Sequence, residues 1–412
     1  MDNYVEYLDS VKKQKSFDYI QASQLMYLSQ YHYNKYYMET IQYNQKINKI
    51  NSLFPEEQSA PYTLFTSNIP NYTNNNIWRD NSHVNNTLIL EKPKKEIVRI
   101  DDPINNINDI LSILDKYPFD INISYNIDLL AMNMVKNELI ELNAMVGMKS
   151  LKSSVLNQML YFMQNLHLGK ESDFKHTVIS GPPGTGKTEI AKIMGRMYSK
   201  LGILKKTIFK KVTRNDLIAG YLGQTALKTK GVINDCLGGV LFIDEAYSLG
   251  TKENGDSFAN ECIDILCESL SDHKDELMVI IAGYKEELNS NFFSMNKGLS
   301  SRFVWRFDIE NYTCEELKEI FMQKIKNSDW SLDENIQPTE QWFKKNYKNF
   351  KNYGRDMELL FFYTKISHGK RIFGKDNNIR KKITMDDLEN GYKLFLENVQ
   401  SKENCEIFGL YV

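Results

Sequence analysis

The segment Gly181-Pro182-Pro183-Gly184-Thr185-Gly186-Lys187-Thr188 satisfies GxxxxGK[ST], and it stands between an apolar run and a helical pattern over residues 189–201 that opens with Glu189. A strand, a glycine-rich turn and a helix in that order admit few folds other than a parallel α/β sheet. The glycines let successive main-chain N–H groups turn inward around a polyphosphate. The helix start adds partial positive charge at the same place. In this pattern Lys187 reaches the β- and γ-phosphates and the Thr188 hydroxyl binds Mg²⁺. A chance glycine-rich turn is the alternative, and the strand and helix in register on either side argue against it.

Hydrolysis requires more than a cradle. Val240-Leu241-Phe242-Ile243-Asp244-Glu245 is an apolar run ending in two acids, about 56 residues beyond the loop, and is expected as a buried strand lying beside the strand that precedes the loop. Asp244 is then placed to hold the Mg²⁺, and Glu245 to polarise an attacking water. Alone, an Asp-Glu at a strand end would more simply cap the next helix; its pairing with the phosphate loop favours the catalytic reading. Further apolar runs at residues 176–180, 207–212, 277–282 and 303–309 alternate with helical patterns. Alternation of this kind implies right-handed βαβ crossovers and a parallel sheet covered on both faces. After Thr313 the pattern is helical only, as in a separate small α-helical domain.

The rest of the chain carries less chemistry. Residues 1–51 contain a stripe through Ile20, Gln24, Tyr27, Tyr31, Asn34, Met38 and Ile41, which suits a helical region that packs on another helix or serves as a docking module. Residues 52–103 hold Pro55, Pro61 and Pro70 and Asn-rich text, and read as a poorly ordered linker. Residues 104–141 read as a helical connector, 142–311 as the α/β nucleotide-binding domain and 312–412 as the α-helical lid. With 53 acidic residues against 51 Lys plus Arg, the formal charge of −2 gives no bulk field for nucleic acid. No run is long and apolar enough for a membrane span, and the first residues lack the order of a secretory signal. The five cysteines form no CxxC pair. A soluble intracellular, cytoplasmic protein with reduced thiols is expected. His176 and His273 show no metal-ligand spacing, and Lys205, Lys206, Lys210, Lys211 and Arg214 read as a solvated basic face.

An Asp-Glu pair after the strand, without a separate kinase-like acceptor signature, resembles an AAA+ ATPase. Residues 142–147, 221–229, 238–247, 281–285 and 298–302 together resemble the CbbX and stage V sporulation protein K branch (the CbxX/CfqX family), over about residues 140–400. The resemblance implies a P-loop α/β domain followed by a helical lid, ATP and Mg²⁺ as cofactors, and a homo-oligomeric ring, a hexamer. It assigns Tyr221, Leu222 and Gly223 to a pore loop whose aromatic ring grips an extended polypeptide, although the tripeptide alone is common in cores and turns. It makes Arg302 an arginine finger acting across a subunit boundary, with Arg306 a weaker rival, and it puts Arg355 on the phosphates from the lid. Tyr284 falls at the sensor-1 position, and Val146 and Gly147 fall at the adenine pocket. Glu358 departs from the branch, which has a second arginine there. The abundance of Asn, Lys, Ile and Tyr resembles that of an AT-rich genome, such as a large DNA virus.

The function implied is ATP-driven remodelling or partial threading of a protein client, with no membrane involved. The alternative is an ATP-gated loader or scaffold on a nucleic-acid assembly, which near-neutral charge and an aromatic pore loop disfavour.

Overall fold

A computed structural model describes residues 96–408, except 121, 170–171, 222, 251–255, 334–337 and 376–378, with side chains described to residue 398. The helical region expected over residues 1–51, most of the Asn-rich linker, Leu222 and the Cys405 side chain lie outside the described residues.

The described chain opens with β1 (Glu96–Val98), which pairs in parallel with β2 (Ile123–Tyr125) across helix α1 (Ile107–Lys116). Residues 96–103 were expected in the linker; instead they carry this strand and the buried Ile100. A three-residue strand inside polar text gives too short an alternation to be read. Asn106 caps α1 through a capping box with Asp109. Three further helices follow, α2 (Leu129–Met134), α3 (Lys136–Ala144) and α4 (Lys149–Met163).

The central sheet has five strands: β3 (Thr177–Ser180), β4 (Phe209–Val212), β5 (Val240–Ile243), β6 (Met278–Gly283) and β7 (Trp305–Asp308). Between them lie α5 (Lys187–Lys200), α6 (Arg214–Leu217), α7 (Thr225–Asp235), α8 (Ser257–Asp272) and α9 (Lys297–Arg302). All four pairings are parallel, in the order β4-β5-β6-β3-β7. The expectation that the Asp244 strand lies beside β3 is therefore corrected, because β6 stands between them. The composition of the strands explains the order. Every residue of β3, β5 and β6 is buried, whereas β4 and β7 carry Lys210, Lys211, Arg306 and Asp308 and can be covered only as edges.

Alternate side chains feed two cores. Val240, Phe242, Met278 and Ile280 face α4 and α5, while Leu241, Ile243, Val279 and Ile281 face α7 and α8. The chain goes from β3 to the far edge at β4, returns through β5 and β6, and passes β3 again to reach β7. The carboxyl end of β3 is thus a point where the strand order reverses, and ligands of open α/β sheets settle at such points.

The lid contains α10 (Cys314–Asn327), β8 (Ser331–Leu332), α11 (Glu340–Asn346), α12 (Tyr353–Ile372), β9 (Lys382–Ile383) and α13 (Met385–Phe408). It is not purely helical, since β8 and β9 pair in parallel. Leu317, Phe321, Phe343 and Phe350 of the lid belong to the same apolar cluster as α4 and α5, so the core runs from sheet to lid without a break.

Candidate nucleotide site

Gly184 and Gly186 both have positive φ, +71° and +86°, which a residue with a Cβ rarely adopts. At Gly184 the constraint is also steric: a Cβ would lie 2.0 Å from the Asn352 carbonyl oxygen. The loop therefore curls tightly between β3 and α5 with the start of α12 against it. Thr185, buried, closes the curl by donating to the Pro182 carbonyl at 2.8 Å. Lys187 folds back over the loop and donates to the Gly181 and Pro182 carbonyls at 2.9 and 2.7 Å. Burial pulls its pKa below the ordinary lysine range, Arg355 acts in the same direction, and Asp244 and Glu245 oppose them.

One cleft is lined by Pro183, Gly184, Thr185, Gly186, Lys187, Thr188 and Glu189 from the loop and α5, by Asp244, Glu245 and Tyr247 from the end of β5, by Gly283 and Tyr284 from β6, and by Arg355 from the lid. The phosphate loop and the acidic pair therefore meet even though β6 separates their strands, because all three strands end at the same edge of the sheet. Glu245 takes φ +51°, ψ +46° at the turn, a left-handed conformation that costs on the order of 1 kcal/mol in a residue with a side chain. The turn is held by the Ser248 amide on the Glu245 carbonyl at 2.8 Å and the Asp244 amide on Val212 at 3.0 Å. Tyr284 stacks on Tyr247, with ring centroids 5.6 Å apart, and Lys187 Nζ lies 5.8 Å from the Tyr284 ring. A Cβ on Gly283 would come within 2.8 Å of the Tyr247 ring, so this glycine makes room for the stack. Burial pushes the Tyr247 hydroxyl up to about 12, with the Glu245 carboxylate adding to it.

A second cleft continues past Gly184, Thr185 and Gly186 and is walled by Met145, Val146, Met148, Ile193, Tyr312 and Ile320. Those apolar side chains, with Glu141, Gln323, Lys324 and Asn327 making up a polar part of the wall, suit a planar base that carries polar edges. Val146 lies there. Gly147 lines a separate groove with Asn106 and Lys152, and a Cβ on it would meet Glu316. Glu358 lies on the rim of the second cleft, 3.8 Å from Lys324.

Gly181 and Pro182 line a neighbouring groove with Ser180, Lys285 and Asp308, and Arg302, Arg306, Tyr221 and Gly223 do not line the nucleotide cleft. Arg302 donates through Nε to Ser271 Oγ at 2.7 Å and through Nη1 to the Gly298 carbonyl at 2.8 Å, so within one chain it does not meet the phosphate loop. Arg306 lies over the Phe293 ring at 4.4 Å. Tyr221 is 74% exposed, and Gly223, at φ +75°, has no atom of the described residues beyond its chain neighbours within 4 Å of where its Cβ would be. His176 is more than an ordinary polar position. It is fully buried, its Nδ1 accepts from the Val279 amide at 3.0 Å and its Nε2 lies 3.0 Å from the Leu270 carbonyl.

Sequence reasoning missed Tyr247, Lys211 and Arg214. Lys211 makes a 2.6 Å ion pair with Asp244, and Arg214 donates to the Ser248 carbonyl at 2.7 Å and pairs with Asp256. Neither belongs to a merely solvated face. Their partners lie more than thirty residues away in sequence, and no local spacing announces them.

The Thr188 hydroxyl and the Asp244 carboxylate supply hard oxygen donors to one cleft, which suits Mg²⁺. Loop amides, Lys187 and Arg355 supply positive charge for a polyphosphate beside them. The residues present thus fit a magnesium-bound nucleoside triphosphate.

This sheet order, with a glycine loop after β3 and an acidic end to β5, defines a P-loop nucleotide-binding protein with a helical lid. A family model described as "ATPase family associated with various cellular activities (AAA)" matches residues 177–309. A putative CfxQ-like protein of Acanthamoeba polyphaga mimivirus is 37% identical over 289 residues, which cover 70% of this chain and 71% of that protein. The CfxQ homolog of Galdieria sulphuraria is 32% identical over 286 residues, 69% of this chain and 86% of the relative. Stage V sporulation protein K of Bacillus subtilis is 35% identical over 214 residues, 50% of this chain and 64% of the relative. The chain belongs to the AAA family of ATPases, in the group of CfxQ-like and stage V sporulation protein K-like members. Among the described residues, no helix is long and apolar enough to cross a membrane.

Proposed function

We propose that this protein is a Mg²⁺-dependent ATP hydrolase that assembles as a hexameric ring and uses turnover to pull on a protein segment gripped by Tyr221. The observation that carries the reading is the single cleft shared by Lys187, Thr188, Asp244, Glu245, Tyr284 and Arg355. Thr188 and Asp244 would hold the magnesium ion, which neutralises charge on the phosphates. Lys187 trades its bonds to the loop carbonyls for the β- and γ-phosphate oxygens, and Arg355 follows the phosphates from the lid. Glu245 accepts a hydrogen bond from the attacking water and draws off its proton as the water oxygen bonds to the γ-phosphorus and the bond from that phosphorus to the β–γ bridging oxygen breaks, with ADP as the leaving group. Val146, with Met145 and Met148, offers the base an apolar wall, and Gly147 supports the turn behind it.

Arg302 completes the site of a neighbouring subunit, which accounts for its distance from its own cleft. A guanidinium in that role contributes about 10³ to 10⁵ in rate. Tyr221, exposed on a loop with a permissive Gly223, offers sequence-independent contact to an extended chain at low entropic cost. The near-neutral net charge supports a protein client over a nucleic acid. The mimivirus relative supports an origin in a large DNA virus.

The test is a set of three variants of the full chain. Lys187→Ala is expected to lose nucleotide binding. Glu245→Gln is expected to bind ATP and release no phosphate. Tyr221→Ala is expected to keep its ATPase rate while losing action on whatever protein co-purifies with the ATP-trapped Glu245→Gln form. Parental phosphate release from Glu245→Gln would overturn the catalytic assignment. A nucleic acid in the trapped complex, in place of a protein, would favour the loader reading.

A further inference from the structure

We propose that Lys211 is the resident counter-ion of Asp244 and sets the magnesium concentration at which the site fills. This rests on the reading of Asp244 as a magnesium-holding residue. Lys211 stands on the edge strand β4, paired in register with Phe242 of β5, two residues before Asp244. Side chains alternate along a strand, so Lys210 and Lys211 leave β4 on opposite faces. Lys210 turns to Asp235, whose side chain is 66% exposed, and makes the kind of surface pair that contributes little. Lys211 turns to Asp244, whose side chain is only 22% exposed and lines the cleft, and holds its Oδ2 at 2.6 Å. The two lysines are neighbours in sequence, yet only one is bonded to the active carboxylate.

That bond has two consequences. It neutralises a carboxylate that would otherwise lie poorly solvated at the mouth of the phosphate site, and it fixes the orientation of the group. It also puts a positive charge beside the carboxylate that would hold a divalent cation, in a cleft that already contains Lys187 and Arg355. A cation arriving at Asp244 must displace the Lys211 ammonium or share the carboxylate with it, and like charges oppose both. The Lys211 side chain is 47% exposed, so its ammonium has solvent to swing into when released. The lysine therefore keeps Asp244 paired until magnesium is plentiful, and it weakens the site's hold on the metal.

The experiment is a magnesium titration of fluorescent ATP-analogue binding, performed on the full chain in the Glu245→Gln background so that no nucleotide is consumed. Lys211→Met is expected to lower the half-saturating magnesium concentration by roughly threefold to tenfold. Lys211→Arg is expected to stay within about twofold of the parent, because it retains the charge. Melting temperatures near the parental value establish that each variant is folded, and Lys211→Gln replaces Lys211→Met if the latter is not. An unchanged or raised magnesium requirement in the neutral variant would overturn the proposal. Nucleotide binding by the parent that ignores magnesium altogether would instead overturn the reading of Asp244, and this inference with it.

Discussion

The Gly354 amide donates a hydrogen bond to the Gly184 carbonyl at 3.1 Å, so the first turn of the lid helix α12 is bonded directly to the phosphate loop. Each glycine makes room for the opposite segment: a Cβ on Gly354 would lie 2.7 Å from that same carbonyl oxygen, and one on Gly184 would lie 2.0 Å from the Asn352 carbonyl oxygen. The turn is held in place by the buried Asp356, whose carboxylate accepts the Asn352 amide at 2.7 Å. Arg355 follows Gly354 immediately, so the contact that seats the lid also delivers the lid's cation to the cleft.

Gly354→Ala is therefore expected to push the lid off the phosphate loop. Nucleotide affinity should fall by about tenfold or more, in keeping with the loss of a positioning contact worth roughly 1.4 kcal/mol. Binding of a fluorescent ATP analogue checks this. A parental affinity would show that the lid contact does not position Arg355.

Glu245 occupies a left-handed backbone conformation that glycine adopts freely. Glu245→Gly should remove the carboxylate, abolish phosphate release and leave the melting temperature at or above the parental value. Backbone strain relieved at the turn, on the order of 1 kcal/mol, offsets the added freedom of the unfolded chain. Calorimetry alongside an ATPase assay measures both. A substantial fall in melting temperature would contradict the account of the turn.

Arg302 should matter to catalysis only in an assembly. Arg302→Ala is expected to bind nucleotide like the parent and to lose at least about a thousandfold in turnover. Mixing it with Lys187→Ala, which lacks its own nucleotide but keeps the finger, should restore part of the rate. Failure of the mixture to recover any activity, with rings shown to form, would count against a finger acting between subunits.

His176 gives the fold a pH dependence. Burial lowers its pKa to about 3, and the Leu270 carbonyl opposes that shift only in part. The unfolded chain therefore binds a proton below about pH 6.5 that the folded chain refuses, so stability declines as pH drops from about 6.5 towards 3. Between pH 7 and pH 5 this one group should contribute about 2 kcal/mol of lost stability. Urea unfolding at the two values should show His176→Gln less stable than the parent at pH 7 but with the smaller loss on acidification. Equal losses in both proteins would contradict the assignment.

The phosphate loop and the acidic pair were legible because their chemistry demands particular residues within a few positions of each other, between a strand and a helix that periodicity reveals. Neighbouring relations in the sheet were not. That β6 enters between β3 and β5 depends on long-range packing of three strands that look alike as apolar runs. The ion pair from Lys211 to Asp244 and the contact from Gly354 to Gly184 join residues far apart in the chain, one across two strands and one between domains. Spacing says nothing about either. Even Arg214, two residues past the end of a recognised strand, reads as surface charge in the sequence, although the turn after Glu245 folds against it.

The central claim is that the loop ending in Lys187 and the acids at the end of β5 serve one magnesium-bound triphosphate. Its most direct test is an experimental structure of the Glu245→Gln protein with ATP and Mg²⁺. The expected result has the triphosphate wrapped by the 181–188 loop, Lys187 on its terminal phosphates, and the metal between the Thr188 hydroxyl and Asp244. A triphosphate bound elsewhere, or a metal out of reach of Asp244, would contradict it.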